Sequence, residues 1–303
     1  MNLTVESMMK EIIVVSGKGG VGKSSITASL AVLLNKAGVK VTAVDSDVDA
    51  PNLSIVLGTD ITDFTDIKTS EKASINYERC KHCGRCVSTC KSQALIDLDG
   101  TPKLIPFLCE GCGACVLVCP TSAISIVQVA NGRVGVEKTR YGFYIVSGQL
   151  NMGESNSGNI VTAVKVKGEE IAKNSGSDLI LVDGPPGIGC PVIASISGAD
   201  YAIAVTEPTP AASNSLDRIF SILDHFHIPK ITIINKYDLN PTYAMKMIKR
   251  IQKRWKVPVI QIPFDENVPL SLSKRIPVVE FEPKSPSSEA INIISNHIVK
   301  AIL

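Results

Sequence analysis

Residues 17–24 read Gly-Lys-Gly-Gly-Val-Gly-Lys-Ser and fill every fixed position of the pattern G-x-x-x-x-G-K-[ST]. This spacing suits polyphosphate binding. Glycines let successive backbone N–H groups curl around phosphate oxygens, and a helix starting there points the positive end of its dipole at the same anion. Lys23 is placed to reach the β- and γ-phosphates and the Ser24 hydroxyl to bind Mg²⁺. Gly17, Lys18, Gly19, Gly20, Val21, Gly22 and Ser25 complete the cradle. Without the lysine and serine the run would be an ordinary glycine turn.

Eight of the nine cysteines form two runs, Cys80, Cys83, Cys86, Cys90 and Cys109, Cys112, Cys115, Cys119, each spaced C-x2-C-x2-C-x3-C, the second followed by Pro120. Zinc asks for paired C-x2-C elements closing one tetrahedral site, and disulfides for an oxidising compartment. The doubled run fits the two-cluster bacterial ferredoxin pattern, in which one tight loop wraps three thiolates around a cubane and the other half supplies the fourth. On that rule one [4Fe–4S] cluster takes Cys80, Cys83, Cys86 and Cys119, the other Cys109, Cys112, Cys115 and Cys90. Lys91 stands where many such sequences have proline, and its charge bears on a cluster potential. His82 reads as a solvated neighbour, because four thiolates are already on hand.

These residues need particular elements behind them. Ile12–Val15 is an apolar run of strand length, and Ile26, Leu30, Leu33, Leu34 and Ala37 recur at helical spacing. Strand, glycine loop and helix therefore follow in the order phosphate binding requires. Residues 40–44 predict a second strand ending in Asp45-Ser-Asp47-Val-Asp49, where open α/β sheets place their chemistry. Residues 60–74 are polar and aperiodic and predict a connection out of the core. Gln93-Ala94-Leu95-Ile96 and Ser122-Ala123-Ile124-Ser125 follow the two cysteine runs as an internal repeat. Asn131-Gly132 predicts a turn between two strand-prone runs on the way back. Residues 142–148 read as a strand, 152–158 as a polar loop that could face a partner or act as a lid, and 160–173 as a helix. Further strands are predicted at 179–182, 201–205, 230–234 and 257–262, and a helix at 214–226. Ile291, Ile294, Ile298 and Ile302 share one face of a terminal helix whose polar face has little basic character, so docking onto the fold is expected.

The 303 residues carry a formal charge of +2, which gives no polyanion-binding signature and argues against nucleic acid. Residues 1–10 read as a short lead-in, so no leader is expected, and no apolar run is long enough for a bilayer. A cytoplasmic protein is expected, and the cysteine runs suit a reducing, anaerobic one.

Lys18 inside the loop, the aspartates at 45 and 47, and Asp183-Gly-Pro-Pro-Gly187 after an apolar strand together resemble the deviant Walker A ATPases of the MinD/ParA/Mrp and nitrogenase iron-protein group. The resemblance covers the whole chain and implies an α/β P-loop fold, mostly parallel, with helices on both faces and an inserted two-[4Fe–4S] ferredoxin domain. The expected bounds are 1–74 and 129–303 for the ATPase and 75–128 for the insert. It further implies that Lys18 contacts nucleotide bound by a second copy, that Asp183 holds Mg²⁺ through water, and that Asp45 and Asp47 share outer-sphere Mg²⁺ binding and water positioning. Gly187 would meet the γ-phosphate, Asn235 the adenine and Pro263 the base edge. Asn235-Lys-Tyr-Asp238 could also read guanine, but Lys18 favours ATP. Cys190 is either a small buried residue or a metal-handling thiol at the dimer interface; Ile193 stands where the Mrp type has its second cysteine. The implied activity is ATP hydrolysis coupled, through a nucleotide-dependent homodimer, to electron transfer or Fe–S and metal-cofactor assembly on a redox or cluster-carrier partner. The alternative is a MinD/ParA-type positioning ATPase with structural or redox-sensing clusters.

Overall fold

The computed structural model describes residues 9–154 and 157–302. The lead-in before residue 9, Ser155 and Asn156 of the polar loop, and Leu303 lie outside them. The chain forms two compact units, one of residues 9–64, 134–149 and 157–302, the other of 65–133 and 150–154.

The first unit is built on parallel strands in the order Val259–Ile262, Lys230–Asn235, Tyr201–Thr206, Lys10–Ser16, Leu179–Pro186, Val41–Asp45 and Tyr144–Leu150. Gly132–Lys138 extends the sheet beyond Tyr144–Leu150. Ile12, Ile13, Val14 and Val15 are wholly buried, as are Leu179, Leu181 and Val182. A parallel strand covered on both faces needs such a continuous apolar run. The order reverses around Lys10–Ser16, which places the phosphate loop at the switch point of the sheet.

The helices start where side-chain chemistry tells them to. Pro210–His225, Pro241–Trp255 and Pro286–Ala301 all open on proline, behind Thr209, Asn240 and Ser285, whose side chains accept from backbone N–H groups in the first turn. Ile291, Ile294 and Ile298 of the last helix belong to the main core, with Ile302 packed against it. No described helix is long and apolar enough to cross a membrane.

The second unit pairs Ser70–Ile75 antiparallel with Ile124–Val129. A hairpin, Leu95–Leu98 with Thr101–Leu104, turns at Asp99-Gly100, both at positive φ, as a two-residue hairpin turn prefers. Two short helices, Arg85–Thr89 and Ala114–Leu117, follow Gly84 and Gly113, both left-handed. Its core is small: Ala73, Cys86, Leu95, Cys115 and Ile124.

Two expectations change. Residues 60–74 are no simple connection, because they contain strands Phe64–Ile67 and Ser70–Ile75. The polar composition conceals them: Lys72 is buried and its ammonium meets Glu154 at 2.6 Å. Asn131-Gly132 separates two strands that do not pair with each other, since Ile124–Val129 takes Ser70–Ile75 as its partner.

Candidate nucleotide site and cysteine cluster

The phosphate loop leaves strand Lys10–Ser16 and enters helix Lys23–Lys36. Gly22 caps that helix at φ 92°, and a Cβ there would stand 2.4 Å from Asn235 Nδ2. Both the conformation and the space demand glycine. Asn235 Nδ2 donates to the Val21 carbonyl at 2.9 Å, and its Oδ1 accepts from the Lys236 N–H at 3.0 Å. The side chain expected to contact adenine thus also fastens the phosphate loop.

Behind the loop lies a buried charge cluster. Lys23 Nζ donates to Asp183 Oδ1 at 2.9 Å, and Thr27 Oγ1 donates to the same oxygen at 3.1 Å. Asp183 is fully buried, and its Oδ2 has no hydrogen-bond partner among the described residues. A buried carboxylate oxygen left free beside a phosphate loop fits a hydrated divalent cation. Burial alone would depress the Lys23 ammonium, but Asp183, with Asp45 and Asp47, holds it above the ordinary lysine range.

Asp45 and Asp47 differ in their surroundings. Asp45 is wholly buried; its Oδ1 accepts from the Asp47 N–H at 3.2 Å and its Oδ2 from the Leu53 N–H at 2.9 Å. Burial, then Asp183, push its carboxyl well above the usual range. Asp47 lines the cavity together with Gly19, Gly20, Lys23, Ser24 and Asn52. Burial raises it to about 6, with Lys23 opposing and Asp183 adding.

A neighbouring cavity shares Gly20, Gly22, Ser25 and Leu272 with the first and is completed by Asn235, Pro263, Phe264, Asp265, Val268 and Ile291. One end offers N–H groups and charge, the other apolar surface, as a nucleotide's phosphates and base require. Asp265 props this second cavity. Its carboxylate accepts from Asn267 and from the N–H and hydroxyl of Ser287, the last at 2.6 Å. Burial works against its ionisation, but bonds from Ser287, Ser285 and Asn267 hold the carboxyl at about 2.

Lys18 lines neither cavity; it is half exposed, its ammonium 3.0 Å from Glu207 of the same chain. Gly187 is left-handed at φ 100°, and its N–H donates to the Ser16 carbonyl at 2.9 Å. Cys190 is exposed at the start of helix Cys190–Ile196, in a groove with Gly158, Lys165, Glu169 and Phe226, and belongs to neither site. Thr27 and Glu207 carried no expectation. Thr27 stands one helical turn after Lys23, a spacing that could have pointed to it; Glu207 meets Lys18 only through the fold.

In the second unit none of the eight clustered cysteines is in a disulfide. Cys90 lines one small cavity with Cys109, Cys112 and Cys115. Backbone N–H groups of Ala73 and Ala123 donate to the sulfurs of Cys109 and Cys119 at 3.4 and 3.2 Å. Among the described residues no three His, Cys, Asp or Glu side chains are already drawn into a metal-holding group.

Residues 12–278 match the family described as the CobQ/CobB/MinD/ParA nucleotide binding domain. An uncharacterised protein of Methanocaldococcus jannaschii is 34% identical over 270 residues, covering 89% of this chain and 90% of its own. The septum site-determining protein MinD of Helicobacter pylori is 27% identical over 288 residues, covering 90% and 85%. Among solved structures, MinD of Pyrococcus horikoshii, complexed with Mg-ADP, superposes with a TM-score of 0.59 at 21% identity over 98% of this chain and all of its own.

Proposed function

The chain belongs to the CobQ/CobB/MinD/ParA nucleotide-binding family and is an ATPase of the MinD/ParA kind, and from that premise we propose that it couples ATP hydrolysis to two [4Fe–4S] clusters in its second unit. The observation behind the cluster part of this reading is the cavity that brings Cys90, from the first cysteine run, to Cys109, Cys112 and Cys115 of the second. A crossing of that kind is what the shared-ligand rule requires. The unit's core is also small enough to need a further cross-link, and inorganic centres commonly supply one. Cys80, Cys83, Cys86 and Cys119 would hold the other cluster. Bound there, the clusters supply one-electron storage.

On the nucleotide side, Ser24 and Asp183 would hold Mg²⁺, which neutralises phosphate charge. Backbone N–H groups of residues 19–25 cradle the phosphates. The Lys23 side chain swings from Asp183 to a phosphate oxygen, where its positive charge stabilises the transition state. Asp45, with both oxygens engaged by backbone, holds the loop rigid. Asp47, which lines the cavity with its carboxyl raised by burial to about 6, orients the attacking water. Asn235 and Pro263 border the base. Lys18 leaves Glu207 to reach the nucleotide of a second copy, so the homodimer depends on nucleotide. A redox or cluster-carrier protein is the outside partner.

A second reading, a MinD/ParA-type positioning ATPase with structural or sensing clusters, is favoured by the similarity to MinD proteins. The test is the iron content and reduction potential of anaerobically purified protein, with and without MgATP. A potential that moves with nucleotide supports coupling; an unmoved potential supports positioning. Zinc in place of iron removes the cluster assignment from both.

A further inference from the structure

The two cysteine loops share one backbone but not one surface. Gly84 and Gly113 are left-handed caps of the short helices, His82 and Gly111 both have positive φ, and so do Gln93 and Ser122. Cys86 and Cys115 are each 7% exposed, while Cys83 and Cys112 both face solvent. Laid on this common frame, the side chains diverge. Arg79 corresponds to Leu108, Lys81 to Glu110, Arg85 to Ala114 and Lys91 to Pro120. All four cations are exposed, and none has an acidic side chain within ion-pair distance among the described residues. The second loop instead exposes apolar side chains, Phe107 and Leu108 at its start and Leu117, 88% exposed, near its end.

Resting on the two-cluster reading above, we propose that the first cysteine loop is the docking face for an acidic electron-carrier protein, with Arg79, Lys81 and Arg85 steering it onto the exposed Cys83. Unpaired cations on a rigid loop raise encounter rates with an oppositely charged partner and do so in a salt-dependent way. Their confinement to one of two equivalent loops makes the two ports distinct, because a general solubilising charge would fall on both. Cys80, Cys83, Cys86 and Cys119 would hold the accepting cluster at this face, and electron passage would be a one-electron step in which the reduced carrier is oxidised, that cluster is reduced and no proton moves. The carrier is an acidic ferredoxin-class protein. An exposed cysteine between Lys81 and Arg85 in the chain favours such a partner over nucleic acid or an anionic membrane, neither of which has use for it.

The test uses the full chain, purified anaerobically, and an acidic two-[4Fe–4S] ferredoxin. Binding is followed by surface plasmon resonance between low and moderate salt, beside iron analysis. The variant Lys81→Glu/Arg85→Ala reproduces residues the second loop already carries on the same backbone, so it preserves the fold; Arg79→Glu is added in a second variant. Expected are binding that weakens with salt, a loss of about tenfold or more in affinity for the variants, and unchanged iron and ATP turnover. Iron at about eight per chain with equal binding by wild type and variants overturns the docking face and leaves the clusters standing. Absence of iron overturns the cluster reading itself. Charge-dependent binding to single-stranded DNA or anionic vesicles, with none to the ferredoxin, overturns the choice of partner.

Discussion

Asp45 and Asp47 are two residues apart, yet their surroundings prepare them for separate work. Two backbone N–H groups occupy the oxygens of Asp45, whereas Asp47 looks into the phosphate cavity. Asp47→Asn should therefore lower ATP turnover about 100-fold or more and leave nucleotide affinity within a few-fold, measured by phosphate release and equilibrium binding. Asp265 gives the pH prediction. Its folded carboxyl sits at about 2 against an ordinary 3.8, so the stability it confers is complete above pH 4 and disappears as pH falls through 2. Asp265→Asn should lower the melting temperature at pH 7 and flatten its fall between pH 4 and 2, read by circular dichroism. At this scale the sequence was legible where the chemistry is contiguous, as from Gly17 to Ser25. It was silent on Thr27, Glu207 and the Ser287 contact of Asp265, because those partners meet only through space.

Elements decide whether the cysteines can act together. The repeated helices Arg85–Thr89 and Ala114–Leu117 each carry one thiol, Cys86 and Cys115, and Cys90 leaves the first run to line the cavity of the second. Cys90→Ala should lose about half of the iron, with a corresponding loss of visible absorbance, and keep full ATP binding; loss of all iron would mean that the halves cannot assemble independently. Apolar strands such as Ile12–Val15 were readable from hydrophobic runs. Ser70–Ile75 was not, because its buried Lys72 is neutralised by Glu154, far away in sequence. An alternation rule cannot see a charge that is paid for by a distant partner.

For the molecule as a whole, the mostly parallel α/β P-loop architecture was legible from the glycine loop between strand and helix, and the family from that loop with Lys18, Asp45, Asp47 and the Asp183 segment. The strand order was not, because it is set by pairing across the sheet. The bounds of the second unit did not follow, because chain from 150–154 returns to it after the strand Tyr144–Leu150. The role proposed for Lys18 belongs to this scale. Lys18→Ala should keep nucleotide binding and abolish the ATP-dependent rise in mass seen by light scattering; a wild-type mass profile would remove Lys18 from any interface.

The amide of Asn235 holds the Val21 carbonyl while bordering the apolar cavity. Whatever settles against that amide tugs on the turn around the phosphates, so one end of a nucleotide senses how well the other is seated. A triphosphate lacking its purine would then grip loosely for a mechanical reason, beyond the surface it fails to cover.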